Sequence, residues 1–360
     1  MVLGPGTWES GYGAGPAITK PNVGIYGSGM PAYNSNYTAL VGGTILLGTL
    51  PVTTGADRFE LHDLGIDVGS AYVNAFLGGV ARDGLEIANA GQVVGAAPIQ
   101  SLVIENVACL GFSLFDQNHC MLLENVNQAS IHNVQAVYNC HGFVLKGTNS
   151  TVDGVLSRGH GVDSVLVKSD FYAPSASDKL SNITISSLLS PGDTEGMTIE
   201  AITANLYDIE VNQLVVSSPL VWGVAIQGAD PYVVLAVRIS NSHISYPGSS
   251  PSGTVCVQMI NAVSALTIQN LNCQNMWAGV YPIAPTAGAM TNNTIAASSF
   301  ADIANDAVTT YGSSIVANTV FSSVTGCAIV STSGAATLSA DQFISGSGCN
   351  TFADGGAFDQ

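Results

Sequence analysis

Short apolar strands recur at near-regular intervals along the middle of the chain, each with the pattern in-out-in-out. Met121-Leu122-Leu123-Glu124, Phe143-Val144-Leu145-Lys146 and Val165-Leu166-Val167-Lys168 are successive copies. Met197-Thr198-Ile199-Glu200 follows after an insertion, then Val224-Ala225-Ile226-Gln227 and Val255-Cys256-Val257-Gln258. Aligned on the fourth position, Glu124, Lys146, Lys168, Glu200, Gln227 and Gln258 form one column. Five residues earlier in each copy stand His119, His141, Asp163, Glu195, Trp222 and Gly253. Asp83-Gly84-Leu85-Glu86-Ile87 fits the same template, with Asp83 in the column of His119 and Glu86 on the outer face.

A second strand per repeat ends in Asn. Leu102–Asn106, Ser130–Asn133 and Leu266–Asn270 share this form, and Ile315–Asn318 is a looser copy. Recurrent Asn there suits a turn that tolerates left-handed backbone and a stacked ladder of amides. Period-two hydrophobicity inside a repeat of roughly 20–30 residues is the mark of a β-solenoid, whose coils bury their apolar faces by stacking. The spacings 22, 22, 32, 27 and 31 between column positions leave the extra residues as loops on a constant core. Leu145, Val167, Ile199, Ile226 and Val257 are expected to form one buried stack. No linker divides the chain, so residues 1–360 read as a single all-β domain. Residues 1–16 read as a partial N-terminal coil and 348–360 as a frayed end or weak cap.

Composition narrows the function. Charged residues make up only 9% of the chain, yet its formal net charge is −17. Such a surface repels polyanions at long range, which argues against nucleic acid. No apolar run is long enough to span a bilayer as a helix. Seven cysteines leave at least one outside any intrachain bridge. Cys327 and Cys349 stand one coil apart, either bridged or stacked as small buried thiols. Met1–Trp8 carries no leader pattern and reads as the middle of a strand-turn unit. A leader is expected to precede it natively, and with it a secreted or cell-surface location.

Gly-ended strands, Asn at the second turn and loops of variable length together resemble the right-handed parallel β-helix of the pectin-lyase-like superfamily. The likeness covers residues 17–350. Its members include polygalacturonases, pectate and alginate lyases, uronan epimerases, inulin fructotransferases and phage tailspikes, so the fold alone does not choose an activity. Gly159-His160-Gly161 matches one polygalacturonase motif, but that family's upstream carboxylates and downstream Arg-Ile-Lys are absent; Arg238-Ile239-Ser240 is the nearest remnant.

Within this frame the columns supply candidate chemistry. Asp163 and Glu195, on adjacent coils, are expected about 5–6 Å apart, the range of a retaining nucleophile and acid. Lys168 and Glu200 would hold that pair in its working charge state. His119, Glu124, His141, Lys146, Arg158, Trp222, Gln227 and Asp83 would bind substrate, Trp222 by stacking on a sugar ring. His119 and His141 adjoin Cys120 and Cys140, but neighbours along a strand point to opposite sides, so no metal site is expected. The first reading is an enzyme that cleaves or transfers glycosyl units of a neutral poly- or oligosaccharide in a groove across the coils. The alternatives are a uronan lyase or epimerase with a Lys base, for which Ca²⁺ would be a cofactor, and a non-catalytic glycan-binding adhesin or tailspike module. Apolar outward positions (Val144, Leu166, Ala225, Cys256) further suggest lateral packing into a homotrimer.

Overall fold

The computed structural model describes residues 1–9, 17–68, 83–88, 97–111, 119–139, 141–160, 162–169, 179–186, 195–248, 251–283, 290–344, 348–353 and 356–359. Strands run through these residues and no helix occurs among them. Their contacts gather into two compact units, Met1–Asp193 and Thr194–Gln360.

In the first unit each coil contributes one strand to a front sheet and one to a back sheet. Leu50–Thr53, Leu85–Ala88, His119–Asn127, His141–Thr148 and Asp163–Lys168 make the front, all in parallel register. Glu60–Asp67, Val103–Leu110, Ser130–Asn139, Thr151–His160 and Lys179–Ser186 make the back. Alternation puts Leu123, Leu145 and Val167 in register on the inner side, each fully buried. Burial of such a side chain is worth about 1.5–3 kcal/mol, which is why the pattern was readable. A short hairpin, Ala32–Tyr33 against Leu40–Val41, closes a separate apolar cluster containing Leu40, Ile45, Leu47, Ala108, Leu110 and Val137.

The turn asparagines behave as their repetition suggests. Asn106 donates to Asp63 at 2.9 Å and Asn133 to Asn106 at 2.8 Å. These three residues have φ of 57°, 55° and 50° for Asp63, Asn106 and Asn133, a region where Asn and Asp carry the least penalty among non-Gly residues.

The second unit repeats the plan. Glu195–Ala201, Trp222–Gly228, Val255–Asn261, Ala278–Ile283, Val308–Thr310, Cys327–Ser331 and Cys349–Ala353 form its front sheet. Asn241 and Asn270 continue an amide ladder from Asn212, at 2.8 and 3.0 Å. Inside, Phe300, Phe321 and Phe343 stack with centroids 5.7 and 5.4 Å apart. The last described strands, Cys349–Ala353 and Gly356–Asp359, pair in parallel with the preceding coil.

Several expectations change. All five residues of the predicted buried row are fully buried, but Ile226 lies beside Met259, and Val257 beside Val224. Gln258 therefore faces Ala225 and Gln227 faces Ile260, while Trp222 faces Val255 where Gly253 was expected. A slip of two positions keeps every side chain on its own face, so hydrophobic alternation cannot detect it. Val144, Leu166, Ala225 and Cys256 are buried within the chain itself, so they do not form the exposed apolar face invoked for a trimer. Cys256 is bridged to Cys273, and Cys109 to Cys120, two links that spacing did not suggest. Cys327 and Cys349 are bridged, which decides between the two arrangements left open. Cys140 lies outside the described residues.

Candidate active-site column

The front sheet of the first unit carries an unbroken polar column across four coils. Parallel pairing sets Leu85 beside Met121 and His119 beside His141, which brings Asp83, just before its strand, into line with His119 and His141, the first residues of theirs. Asp83 Oδ1 accepts the His119 backbone N–H at 2.6 Å and lies 3.0 Å from His119 Nδ1. The His119 and His141 rings stack, with centroids 5.1 Å apart and planes 17° from parallel. His141 Nδ1 lies 3.1 Å from Asp163 Oδ2. Carboxylate, imidazole, imidazole and carboxylate thus follow one another, and the Asp163 side chain is only 7% exposed.

Where each carboxylate accepts from Nδ1, the contact favours the tautomer in which Nε2 is the acceptor. A carboxylate that fixes a tautomer and orientation in this way is the usual support of a general base. Beside this column, Lys146 Nζ donates to Glu124 at 2.6 Å, with side chains 22% and 9% exposed. Between the two columns runs a buried apolar strip, Leu122, Val144 and Leu166. Glu86 heads that strip, paired with Leu122. Burial raises its carboxyl above the ordinary range, and the charges of Asp83 and Glu124 raise it further.

The remaining predicted residues divide among other settings. Lys168 ends the strand Asp163–Lys168 and is partly buried. Arg158 projects from the back sheet, where its guanidinium hydrogen-bonds the Tyr37 hydroxyl and lies 4.8 Å over that ring. It fastens the 32–41 hairpin and is not part of the lysine column. Glu195 begins a strand of the second unit, in register with Trp222, but its side chain lies outside the described residues. The close carboxylate pair expected with Asp163 therefore enters no geometry here. Glu200 and Gln227 are in register with each other in that unit. Gly159 adopts a φ of 71°, a tight glycine turn, and the His160 side chain is outside the described residues. Among the described residues no group of three or more His, Cys, Asp or Glu side chains is arranged to hold a metal ion.

Sequence reasoning named Asp83, His119, His141 and Asp163 but overlooked two things. One is Glu86, placed on the outer face and given no role. The other is a column on the back sheet. Tyr26 and His62 rings stack 4.9 Å apart, His62 Nδ1 lies 3.4 Å from Glu105, and His132 Nδ1 lies 3.2 Å from Asp153. His132 and Asp153 are 56% and 37% exposed, so this is a solvated ladder of modest strength. Spacing along the back strands (His62, Glu105, His132, Asp153) was its available signal.

No family model and no curated protein matches the chain. Solved structures do. The catalytic domain of a GH87 alpha-1,3-glucanase variant in complex with tetrasaccharides superposes with a TM-score of 0.55 at 11% identity, over 100% of this chain and 61% of that one. A DFA-IIIase from Arthrobacter chlorophenolicus A6 in complex with GF2 gives 0.57 at 13%, over 93% and 82%. The A-module of an Azotobacter vinelandii mannuronan C-5 epimerase gives 0.54 at 13%, over 100% and 90%. The chain thus spans 61% of the glucanase chain that it matches. At 11–13% identity these likenesses show the fold alone, a right-handed parallel β-helix.

Proposed function

We propose that the protein is a carbohydrate-active enzyme that cleaves or transfers glycosyl units, with proton transfer at the Asp83–His119–His141–Asp163 column. The single observation that carries this reading is the continuity of that column. Two Asp–His pairs stand back to back with stacked rings, an arrangement in which one imidazole can take a proton from an attacking hydroxyl while its neighbour gives one to a leaving oxygen. A glucanase, a DFA-IIIase and an epimerase on the same fold support a glycan as substrate. The net charge of −17 favours a neutral one. Three disulfides among the described residues support an oxidising, extracellular setting.

Lysine-based elimination of a uronan is less well supported, because Lys146 is engaged as the cation of an ion pair with Glu124. In this reading Lys146 orients sugar hydroxyls. The test is a screen of the purified protein against neutral and acidic polysaccharides, following reducing ends and ultraviolet absorbance together. Turnover of a neutral glycan without new absorbance is expected. His141→Asn and Asp163→Asn should each lower kcat by about 10²–10⁴-fold, and Lys146→Ala should act mainly on KM. Absorbing products, or undiminished turnover in both column variants, would overturn the proposal.

A further inference from the structure

Where the front strands of the first unit turn toward the back sheet, one position per coil adopts a left-handed backbone. Asn22, Arg58, Ser101, Gln128 and Asn149 hold it in successive coils, with φ of 59°, 56°, 57°, 59° and 54°. Backbone hydrogen bonds of 2.8–3.0 Å stack these turns, the first four residues donating to the carbonyls of Asp57, Gln100, Asn127 and Thr148. Asn at 22 and 149 suits such a backbone. Arginine does not share that tolerance, so the turn alone does not account for Arg58.

The row has a gap. Ser101 stands, with its short side chain, between Arg58 and Gln128, and a concavity of about 420 Å³ opens there, at the small end of the range for ligand pockets. Asn22, Arg58, Ser101 and Gln128 are exposed and Asp57 and Gln100 half-buried, so a ligand can reach it from solvent. One side is held in place. Asp57 Oδ1 accepts the Gln100 backbone N–H at 2.9 Å, Gln100 Oε1 accepts from Asn127 at 2.7 Å, and Gln100 Nε2 donates to the Pro98 carbonyl at 3.2 Å. The other side is uncommitted. Among the described residues the Arg58 guanidinium makes one long hydrogen bond, to Asn22 Oδ1 at 3.4 Å, and the Ser101 hydroxyl and Gln128 amide make none.

The groups in this notch select against simple ions. Asp57 repels an anion, Arg58 repels a cation, and their two charges cancel. What remains is a mixed set of donors and acceptors on planar groups, with no aromatic ring among them. Two neighbouring sugar hydroxyls, each able to donate and accept, match the edge of a guanidinium, carboxylate or amide with a pair of hydrogen bonds. His119 opens a front strand and Gln128 follows its end, about 30 Å on when measured along the chain, so the notch is a separate place from the histidine column.

We infer that Arg58, Ser101 and Gln128, with Asp57 and Gln100 behind them, bind a neutral sugar unit through paired hydroxyls and anchor a glycan away from that column. The choice of a sugar rests on the glycan reading of the chain. Binding alone tests the notch, so turnover can fail while the notch stands, and the reverse.

The full chain would be titrated by calorimetry with neutral glucosyl, fructosyl and mannosyl tetrasaccharides, a glucuronate tetrasaccharide and free glutamine. Saturable binding of a neutral tetrasaccharide is expected. It should survive Asp163→Asn in the column and weaken about tenfold in Arg58→Asn, which loses a charge-assisted pair of hydrogen bonds. Arg58→Asn should melt at the same temperature or higher, because Asn accepts the left-handed turn more readily. Gln128→Asn withdraws the amide by one methylene and should weaken binding several-fold, which covers the case of an Arg58 variant that does not fold. Absence of binding by every neutral tetrasaccharide would overturn the site, as would a preference for glucuronate or glutamine. So would binding that is lost in Asp163→Asn but kept in both notch variants. An Arg58→Asn protein that melts earlier yet binds normally would sink the inference too, since the arginine would then only staple the turn.

Discussion

At Glu86 burial, Asp83 and Glu124 all act in the same direction, favouring the protonated carboxyl. A carboxyl raised in the folded state favours folding below its unfolded pKa, and that advantage is lost as pH rises through the folded value. Glu86→Gln should therefore raise the melting temperature at pH 7, on the order of 1 °C given how much solvent screens the site, and change little at pH 3. A gain equal at both pH values would show that charge is not the cause. Asp163 is a second buried carboxyl, with Oδ2 3.1 Å from His141 Nδ1. Its replacement by Asn removes the charge beside His141 without emptying the space, so lost activity with retained folding separates chemistry from packing. Position in the repeat made Asp163 visible in sequence. The setting of Glu86 was only partly visible, because besides Asp83 it depends on Leu122 and Glu124 of the following coil.

Strands and turns were legible where a residue type and a backbone need coincide. Asn106 and Asn133 each supply a left-handed turn and a rung of an amide ladder. Asn133→Gly keeps the first role and Asn133→Ala loses both, so chemical denaturation should show Ala costing about 1 kcal/mol more than Gly. Tyr33 tests a different element. Its buried hydroxyl faces the carbonyls of Cys109 at 2.9 Å and Gln135 at 3.3 Å and ties the hairpin to the back sheet. Tyr33→Phe should cost about 1 kcal/mol and speed proteolysis at residues 34–39. What sequence could not supply was register beyond Tyr246, where the loop hides a shift of two positions that preserves alternation. Composition-based reasoning about Cys256 failed for a related reason. Reading it as an outward apolar position left no cause to look toward Cys273, 17 residues away.

On the scale of the molecule, each coil depends on its neighbours for burial. Leu145→Ala removes a fully buried side chain from between Leu123 and Val167 and should cost about 2–5 kcal/mol in calorimetry. The three disulfides join residues 11, 17 and 22 apart, each within about one turn of the chain. None of them clasps distant coils, so each constrains the unfolded chain only locally, by about 3 kcal/mol. Their consequence is clearest under tension. A chain pulled by its two ends in an optical trap would give up its coils in sequence, yet the segments inside the three bridges could not extend. Its fully stretched contour should fall short of the reduced protein's by roughly 170 Å, at about 3.5 Å for each sequestered residue. Adding a thiol reductant while the tether is held taut should release that hidden length in three discrete jumps, the smallest from the Cys109–Cys120 loop and the largest from Cys327–Cys349.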